Sequence, residues 1–372
     1  MVRVPTIGAS VEAALKAASS LTQAEGGLAP AAERLSQSVG DARRLDSLAR
    51  VATDAVPSTL LKDAAKPGEG ILDEALTELL SRGRETNSDA ILITKDGNTV
   101  GEWYFGKERK PIQTNSITKS VTNLAVGRLI GEGKISLDEP VHHHFYEWMA
   151  GPKQDITIRH LLNHTSGLPF RGAAPGFEGS ISADLLSEPG TKFEYSNAGV
   201  DVLSGLVEYV SGKRLDRYVA NEILSPMGIT DFSWRLDANG HAFGSGGFSA
   251  HAVDLSKIGQ LMIDDGKWNG NSLVGSDWIA ESTKPAQLYT RHSGLLWWLD
   301  GVKFKTDAAG VSTFAGKDGF SARGYNGQFI AILPREKLVG VRQISTESYA
   351  GPFDDFKDFP ALVKKLHDRN TK

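Results

Sequence analysis

Apolar and polar positions change their spacing several times along the chain, and each change predicts a different element. Residues 1–70 are rich in alanine and carry apolar residues at helical spacing, which predicts a helical extension. Another helix is predicted over Ile71–Arg82, where the apolar residues form one stripe. Two β-hairpins are predicted far apart: Ala90–Phe105, which reverses at an Asp-Gly turn, and Gln328–Ile344, which reverses over Pro334–Lys337. Strands therefore lie on both sides of the central part of the chain.

The segment between the two hairpins is predicted to be mainly helical. Its predicted helices are Ser116–Glu132, Ile158–Asn163, Val200–Val210 and Leu215–Leu224. Helices enclosed by strands predict an α+β fold, in which one antiparallel sheet built from both ends is flanked by helices. We therefore predict three parts: a helical extension over 1–70, a sheet domain formed by 71–115 with 240–372, and a mainly helical inserted domain over 116–239.

Composition narrows the possible partners. The 372 residues carry 41 basic and 45 acidic side chains, a net charge of -4, without long blocks of one sign, which argues against a nucleic-acid partner. The chain has no cysteine, which excludes a thiol nucleophile and any disulfide. No apolar run reaches the roughly 18 residues of a membrane span, so we expect no membrane partner. No apolar run of signal-peptide length is found near the start, so we expect a cytoplasmic location, with a periplasmic or secreted one as the alternative. The oligomeric state stays open.

The first motif that carries chemistry is Ser116-Ile117-Thr118-Lys119, at the start of a predicted helix. Residues three apart on a helix lie on one face, so the hydroxyl and the ammonium are expected to meet. The free N–H groups at a helix N-terminus favour a developing negative charge, and burial favours a neutral, basic lysine. Such a pair can make a serine nucleophilic. The alternative is a surface helix whose serine is only an N-cap.

The second motif is Tyr195-Ser196-Asn197, which precedes the apolar helix predicted to begin near Val200. A tyrosine close to a cation can share or lose its proton, so Tyr195 is a candidate base for the serine and a candidate acid for the leaving group. The amide of Asn197 can hold the lysine or the substrate carbonyl. The alternative is a buried tyrosine whose hydroxyl is satisfied at a junction between loop and helix.

The third motif is the glycine-bearing stretch Ala322–Gln328, which leads directly into an apolar strand. Glycine allows a strand to approach a ligand closely. A backbone N–H in this stretch is a candidate partner for the N–H of Ser116 in an oxyanion hole. The alternative is an ordinary turn that leads into the last hairpin.

In this order the three motifs resemble those of the serine β-lactamase-like hydrolases. That group includes class C β-lactamases, D-alanyl-D-alanine carboxypeptidases, esterases of the same fold and 6-aminohexanoate-dimer hydrolases. The connecting phrases Ile158–Leu168 and Gly246–Gly259 are also similar to the family, and the similarity spans about residues 75–345. The resemblance implies a β-lactamase-like fold.

The resemblance also assigns roles to individual residues. It implies that Ser116 is the acylated nucleophile, Lys119 its activator and Tyr195 the second proton-transfer group. It further implies that Asn197 supports the site and that the backbone N–H groups of Ser116 and Tyr325 form the oxyanion hole.

One departure from the family pattern affects the expected substrate. If Gly324 matches the glycine of the family's Lys-Thr-Gly box, Ala322 and Arg323 occupy the places of its lysine and threonine. In the β-lactamases and carboxypeptidases that lysine and its neighbour help to hold the substrate carboxylate. Arg323 compensates only if its side chain faces the cleft.

We therefore favour a serine hydrolase that cleaves a small-molecule ester or amide through an acyl-enzyme on Ser116, without a cofactor. One alternative is a β-lactamase or D-alanyl-D-alanine carboxypeptidase, with a lactam as the small-molecule substrate. Another is a non-catalytic binding protein on the same fold.

Other conspicuous residues are given structural interpretations. The run His142–His144 lacks the spacing of a metal site, so no metal is expected. His164 and Ser166 lie in a predicted turn without the Gly-x-Ser-x-Gly pattern of a nucleophile. The aromatic candidates for the pocket are Phe170, Phe177, Trp297 and Trp298.

Overall fold

The computed structural model describes residues 71–306 and 312–367, all within the compact unit Ser58–Lys372. The helical extension predicted for 1–70 lies outside the described residues. The helices are α1 Asp73–Glu85, α2 Ile117–Gly131, α3 Ile158–Leu162, α4 Phe177–Ile181, α5 Asn197–Ser211, α6 Leu215–Val219, α7 Ala252–Ile263, α8 Ser276–Ser282 and α9 Phe359–Lys365. The strands are β1 Ala90–Lys95, β2 Asn98–Trp103, β3 Ile112–Gln113, β4 Phe232–Trp234, β5 Phe248–Ala250, β6 Lys267–Trp268, β7 Asn271–Ser272, β8 Trp298–Asp300, β9 Lys303–Thr306, β10 Ser312–Gly316, β11 Gly319–Gly324, β12 Gln328–Leu333 and β13 Leu338–Gln343.

Six strands form the main sheet, in the order β2-β1-β13-β12-β11-β8, and every pairing in it is antiparallel. Both predicted hairpins are present, as β1 with β2 and β12 with β13. Strands β1 and β13 pair from Ala90 opposite Gln343 to Lys95 opposite Leu338, which joins the two ends of the described chain. The predicted α+β class with one sheet built from both ends is confirmed.

Both faces of this sheet are covered. Alternate side chains of a strand point to opposite faces, and in β1 both sets are buried. Leu92 packs into the larger core together with α2, α5 and α7. Ile91 and Ile93 pack on the other face against α1 and α9, where Leu79 and Phe359 are also fully buried. A sheet covered on both faces explains the nearly continuous apolar text of β1 and β12.

The segment from α2 to α6 is mainly helical, as predicted, although its boundaries as a domain stay a prediction. Helix α2 is buried almost all round, so it passes through the interior with little contact with solvent. The predicted helix over Leu215–Leu224 is α-helical to Val219 and continues as a π-helical turn over Ala220–Leu224. None of the described helices combines the length and the apolar composition of a membrane span.

A buried arginine ties the end of the sheet to the loops around it. Arg342 of β13 is fully buried, and its guanidinium donates to four backbone carbonyls at 2.7–2.8 Å and to the hydroxyl of Ser88 at 2.9 Å. The carbonyls belong to Thr86, Asn326, Gly327 and Asp354. Burial lowers the pKa of Arg342 to about 10, which nearby carboxylates such as Asp354 partly offset, so the side chain stays charged near neutral pH.

We expect Arg342→Met to lower the free energy of unfolding by about 4 kcal/mol, because each of four buried carbonyls loses its donor at roughly 1 kcal/mol or more. Equilibrium unfolding in urea measures this change. Arg335→Met, in the exposed turn of the same hairpin, is the matched control and is expected to change the free energy by less than about 0.5 kcal/mol. Equal losses in the two variants would contradict the role assigned to Arg342.

Candidate active site

Ser116 lies where the chain turns from a small sheet into a buried helix. Strand β3 pairs with β5 and leads through Thr114 and Asn115 to Ser116, which is the N-cap of α2. Asn115 has a positive φ of 51°, which turns the chain sharply just before the serine. Ser116 thus stands at a helix N-terminus; the N–H groups of the next three residues already donate to backbone carbonyls, whereas that of Ser116 has no backbone acceptor among the described residues.

Lys119 is one turn further along α2, and its side chain points back to the serine. Its Nζ lies 3.0 Å from Ser116 Oγ and donates to the backbone carbonyl of Ser245 at 2.7 Å. Lys119 is only 3% exposed. Burial lowers the pKa of Lys119 to about 7, against an opposing effect of the Asp201 carboxylate. The structure therefore brings Ser116 together with an amine that is partly neutral near pH 7.

Tyr195 lies in the loop before α5, between two other aromatic rings. Its ring stacks with Phe170 and with Trp298 at centroid distances of 6.2 Å each, and Lys119 Nζ lies 5.1 Å from its centroid. Burial raises the pKa of Tyr195, and a hydrogen bond with the Ser116 side chain partly offsets the rise. Tyr195 is therefore protonated near neutral pH, beside the serine and the lysine.

His164 also lines this pocket, a position that the sequence did not predict for it. Its ring lies 4.6 Å from that of Tyr195, and its Nδ1 accepts the backbone N–H of Ser196 at 3.2 Å. An acceptor at Nδ1 places the proton of the neutral ring on Nε2. Burial, and next to it the charge of Lys119, lowers the pKa of His164 to about 3, so the ring is neutral. His164 holds the Tyr195 segment in place and adds no charge.

The glycine-bearing stretch approaches the serine from the end of β11. A Cβ at Gly324 would lie 2.3 Å from the carbonyl oxygen of Thr114, so only glycine allows these two segments to lie this close. Asn115 Nδ2 donates to the backbone carbonyl of Tyr325 at 3.0 Å, while the Tyr325 side chain is 73% exposed. Within the described part of the chain, the backbone N–H groups of Ser116 and Tyr325 have no backbone acceptor. Both are therefore free to donate to a bound oxyanion.

Arg323 can compensate for the missing lysine only if its side chain faces the cleft. Its side chain does line the same pocket as Ser116 and Tyr195. Its guanidinium forms an ion pair with Asp300 of the neighbouring strand β8, and its Nε donates to Ser321 Oγ at 2.9 Å. Arg323 therefore stands at the site with its charge already partnered.

Asn197 is less directly placed. It is the first residue of α5, and its backbone N–H donates to the Phe170 carbonyl at 3.0 Å. Its side-chain Oδ1 is buried and has no partner among the described residues. Asn197 is not one of the residues that line the pocket.

The pocket comprises about 280 Å³ of space outside the protein atoms, part of which is open solvent. Its lining residues are Ser116, Lys119, Ser120, His164, Tyr195, Ser293, Leu296, Trp297, Trp298 and Arg323. Of the four aromatic candidates, Trp297 and Trp298 line it, and Phe170 stacks on Tyr195. Phe177 packs against Phe145 and His241 instead.

Sequence reasoning missed Asp201 and Ser245, both of which affect Lys119. Asp201 is an acid within the apolar stretch Val200–Leu203 of α5 and is 5% exposed. A charged residue on the buried side of a helix is rare unless it is paired. The position of Asp201 in the apolar stripe could therefore have identified it as a candidate site residue. Ser245 contacts Lys119 through its backbone carbonyl, which no side-chain pattern could indicate.

Comparisons with known proteins extend over most of the chain. The sequence model of the beta-lactamase family matches residues 73–359. The 6-aminohexanoate-dimer hydrolase of Paenarthrobacter ureafaciens is 25% identical over 330 residues, which cover 76% of this chain and 80% of that protein. The penicillin-binding protein of Bacillus halodurans superposes with a TM-score of 0.57 at 20% identity, covering 76% of this chain and 98% of the other. EstCE1, a hydrolase with promiscuous acyltransferase activity, superposes with a TM-score of 0.60 at 18% identity, covering 80% and 97%. At these identities the two structures show a shared fold alone.

Proposed function

The chain belongs to the beta-lactamase family of serine hydrolases, and from this premise we propose that it cleaves an ester or amide bond through an acyl-enzyme on Ser116. The observation that carries the proposal is the 3.0 Å approach of the buried Lys119 Nζ to Ser116 Oγ at the N-terminus of α2. A nucleophile within hydrogen-bond reach of a base is the arrangement that covalent catalysis requires.

Lys119 is the base of the acylation step in this proposal. The Ser116 hydroxyl oxygen attacks the substrate carbonyl carbon, and its proton passes to the neutral amine of Lys119. A lysine whose pKa is about 7 is partly neutral at the working pH and still basic enough to accept a proton. The backbone N–H groups of Ser116 and Tyr325 stabilise the oxyanion that forms.

Tyr195 then donates a proton to the leaving group as its bond to the carbonyl carbon breaks. Its raised pKa supports a donor more than a base, because the phenol stays protonated where Lys119 is already partly neutral. Tyr195 recovers its proton from Lys119. Water then attacks the carbonyl carbon of the Ser116 ester, Lys119 takes a proton from this water and passes it to Ser116 Oγ, and the bond between Ser116 Oγ and the carbonyl carbon breaks to release the acid. Each turnover thus consumes one water and returns all three side chains to their starting states.

The charges at the pocket favour a substrate without a carboxylate. If Gly324 matches the glycine of the family's Lys-Thr-Gly box, Ala322 takes the place of the box lysine, and Ala322 is fully buried. Arg323 is the remaining cation of that stretch, and Asp300 already balances its charge. A substrate carboxylate would have to compete with Asp300 for the guanidinium. A neutral ester or amide meets no such competition, so we rank it above a β-lactam.

A substrate panel tests this ranking. We expect turnover of neutral p-nitrophenyl esters with short acyl chains, and a kcat/KM for a chromogenic cephalosporin about 10- to 100-fold lower. We expect this difference in kcat/KM because a substrate carboxylate that lacks its charged hydrogen bond loses roughly 1.5–3 kcal/mol of stabilisation. The name of the Paenarthrobacter relative makes the dimer of 6-aminohexanoate an amide to include, and a carboxylate on that dimer is expected to place its kcat/KM below that of the neutral esters. A cephalosporin turned over as fast as the best ester would overturn the ranking in favour of a β-lactamase. If the protein turns over no substrate of the panel and intact-mass spectrometry finds no acyl adduct, a binding protein is favoured.

A further inference from the structure

A buried carboxylate lies beside the catalytic lysine and has no place in the proposed reaction steps. Asp201 is on α5, one turn after Asn197, and is 5% exposed. Its neighbours Val200, Val202 and Leu203 are fully buried apolar residues. A carboxylate in such surroundings is costly unless something compensates for it.

A single peptide segment connects the carboxylate to the lysine. Asp201 Oδ1 accepts the backbone N–H of Ser245 at 2.9 Å, and the carbonyl of Ser245 accepts from Lys119 Nζ at 2.7 Å. Gly244 permits this contact, because a Cβ there would lie 2.3 Å from the carbonyl oxygen of Val200 on α5. The Thr122 hydroxyl donates to the Gly244 carbonyl at 2.8 Å and holds the segment from the side of α2. The carboxylate therefore positions the acceptor that orients the amine.

The groups that face Lys119 come from four segments. They are Ser116 on its own helix, His164 from the loop after α3, Tyr195 before α5, and Asp201 on α5. His164 is neutral and Tyr195 is protonated near neutral pH. Among the described residues, Asp201 is the one acid that raises the pKa of Lys119 against the effect of burial. Burial raises the pKa of Asp201, and hydrogen bonds from the Ser245 and Gly244 backbone and the charge of Lys119 offset that rise only in part.

We infer that Asp201 is a positioning residue, which acts through the Ser245 peptide and its own negative charge to set the pH at which the Lys119 amine becomes the base. The inference rests on the proposed function, in which neutral Lys119 deprotonates Ser116. Without the carboxylate, Lys119 loses its proton at lower pH. The acid limb of the activity profile then moves to lower pH, and the weaker base lowers the maximal rate.

The test compares the wild type with Asp201→Asn, which removes the charge and keeps the size and an acceptor oxygen. The pH titration of the Lys119 ammonium is followed by NMR of 15N-labelled lysine side chains, with Lys119→Met to assign the signal. We expect the titration midpoint to fall by about one pH unit, because a neighbouring opposite charge raises a lysine pKa by roughly that amount. With a wild-type midpoint near 7, the neutral fraction at pH 6 would rise about fivefold.

Matched variants separate charge from packing. Asp254→Asn removes another buried carboxylate, on α7, whose partner is Lys257, and is expected to leave the Lys119 midpoint unchanged. Asp201→Glu keeps the charge, so its midpoint is expected to stay nearer to wild type than that of Asp201→Asn. Should Asp201→Asn fail to fold, Asp201→Ser removes the same charge with a smaller side chain.

An unchanged Lys119 midpoint in Asp201→Asn would overturn the inference, as would equal shifts in the asparagine and glutamate variants. The pH profile of kcat/KM is measured on the same proteins, and its acid limb is expected to follow the NMR midpoint. A shifted midpoint in a protein that turns over no substrate would refute the proposed function and leave the action of Asp201 on Lys119 established. Failure of the inference about Asp201 and failure of the proposed function therefore give different results.

Discussion

Ser116→Ala is expected to lower kcat for the best ester by at least about 10⁴-fold and to remove all covalent labelling by a fluorophosphonate. The reason is that the substitution deletes the one atom that forms the acyl bond while leaving the pocket and its N–H donors in place. Intact-mass spectrometry after incubation with the reagent gives the labelling, and stopped assays at high enzyme concentration give the residual rate. We expect one adduct per chain in the wild type and none in the variant.

Ser166→Ala is the matched control. Ser166 is buried and lies two residues from His164, so it is the serine that a serine–histidine pair would use. Its Oγ accepts the backbone N–H of Leu168 at 3.3 Å, which is the turn contact that the sequence predicts for this segment. We expect this variant to keep both label and turnover. A label that persists in Ser116→Ala, or turnover that survives there, would exclude Ser116 as the nucleophile.

Those parts of the fold that depend on local pattern were predictable. Both hairpins of the main sheet were identified because each has its turn between two strands that follow each other in sequence. The start of α5 was predicted three residues late, because the apolar stripe begins at Val200 whereas the helix begins at its cap. The cap is Ser196, whose Oγ accepts the backbone N–H of Gly199 at 2.8 Å. The short strand β8, which carries Trp298 and Asp300, has no pattern of its own and was missed.

The contacts of the candidate site also fall into those that local spacing predicts and those that it does not. Ser116 and Lys119 are three residues apart on one helix, so their spacing alone predicts that they meet. The contact between Lys119 and Ser245 joins positions 126 residues apart, and the ion pair of Arg323 with Asp300 exists only because β11 lies beside β8. A single sequence does not encode such pairings in any local signal. The residues that change the charge at the candidate site were therefore missed, whereas the contact of Ser116 with Lys119 was predicted from their spacing.

Tyr195→Phe is expected to lower kcat/KM by a factor that depends on the leaving group of the ester. If Tyr195 donates a proton as the bond to the leaving group breaks, its loss should lower kcat/KM for an alkyl ester by about 10²- to 10⁴-fold, the usual contribution of a general acid. A p-nitrophenyl ester should lose less than about tenfold, because nitrophenolate departs without being protonated. The measurement is a series of esters with one acyl group and leaving alcohols of increasing acidity, assayed on both proteins.

Tyr218→Phe provides the control for this series, since Tyr218 is a buried tyrosine on α6 that does not line the pocket, and its removal should leave the leaving-group dependence unchanged. The pattern discriminates between the two roles open to Tyr195. A base for Ser116 acts before the leaving group departs, so its loss would slow every ester by the same factor. If Tyr195→Phe slows every ester equally, Tyr195 is the base for Ser116, in spite of the rise that burial causes in its pKa. If the loss of rate instead grows as the leaving alcohol becomes less acidic, Lys119 remains the base.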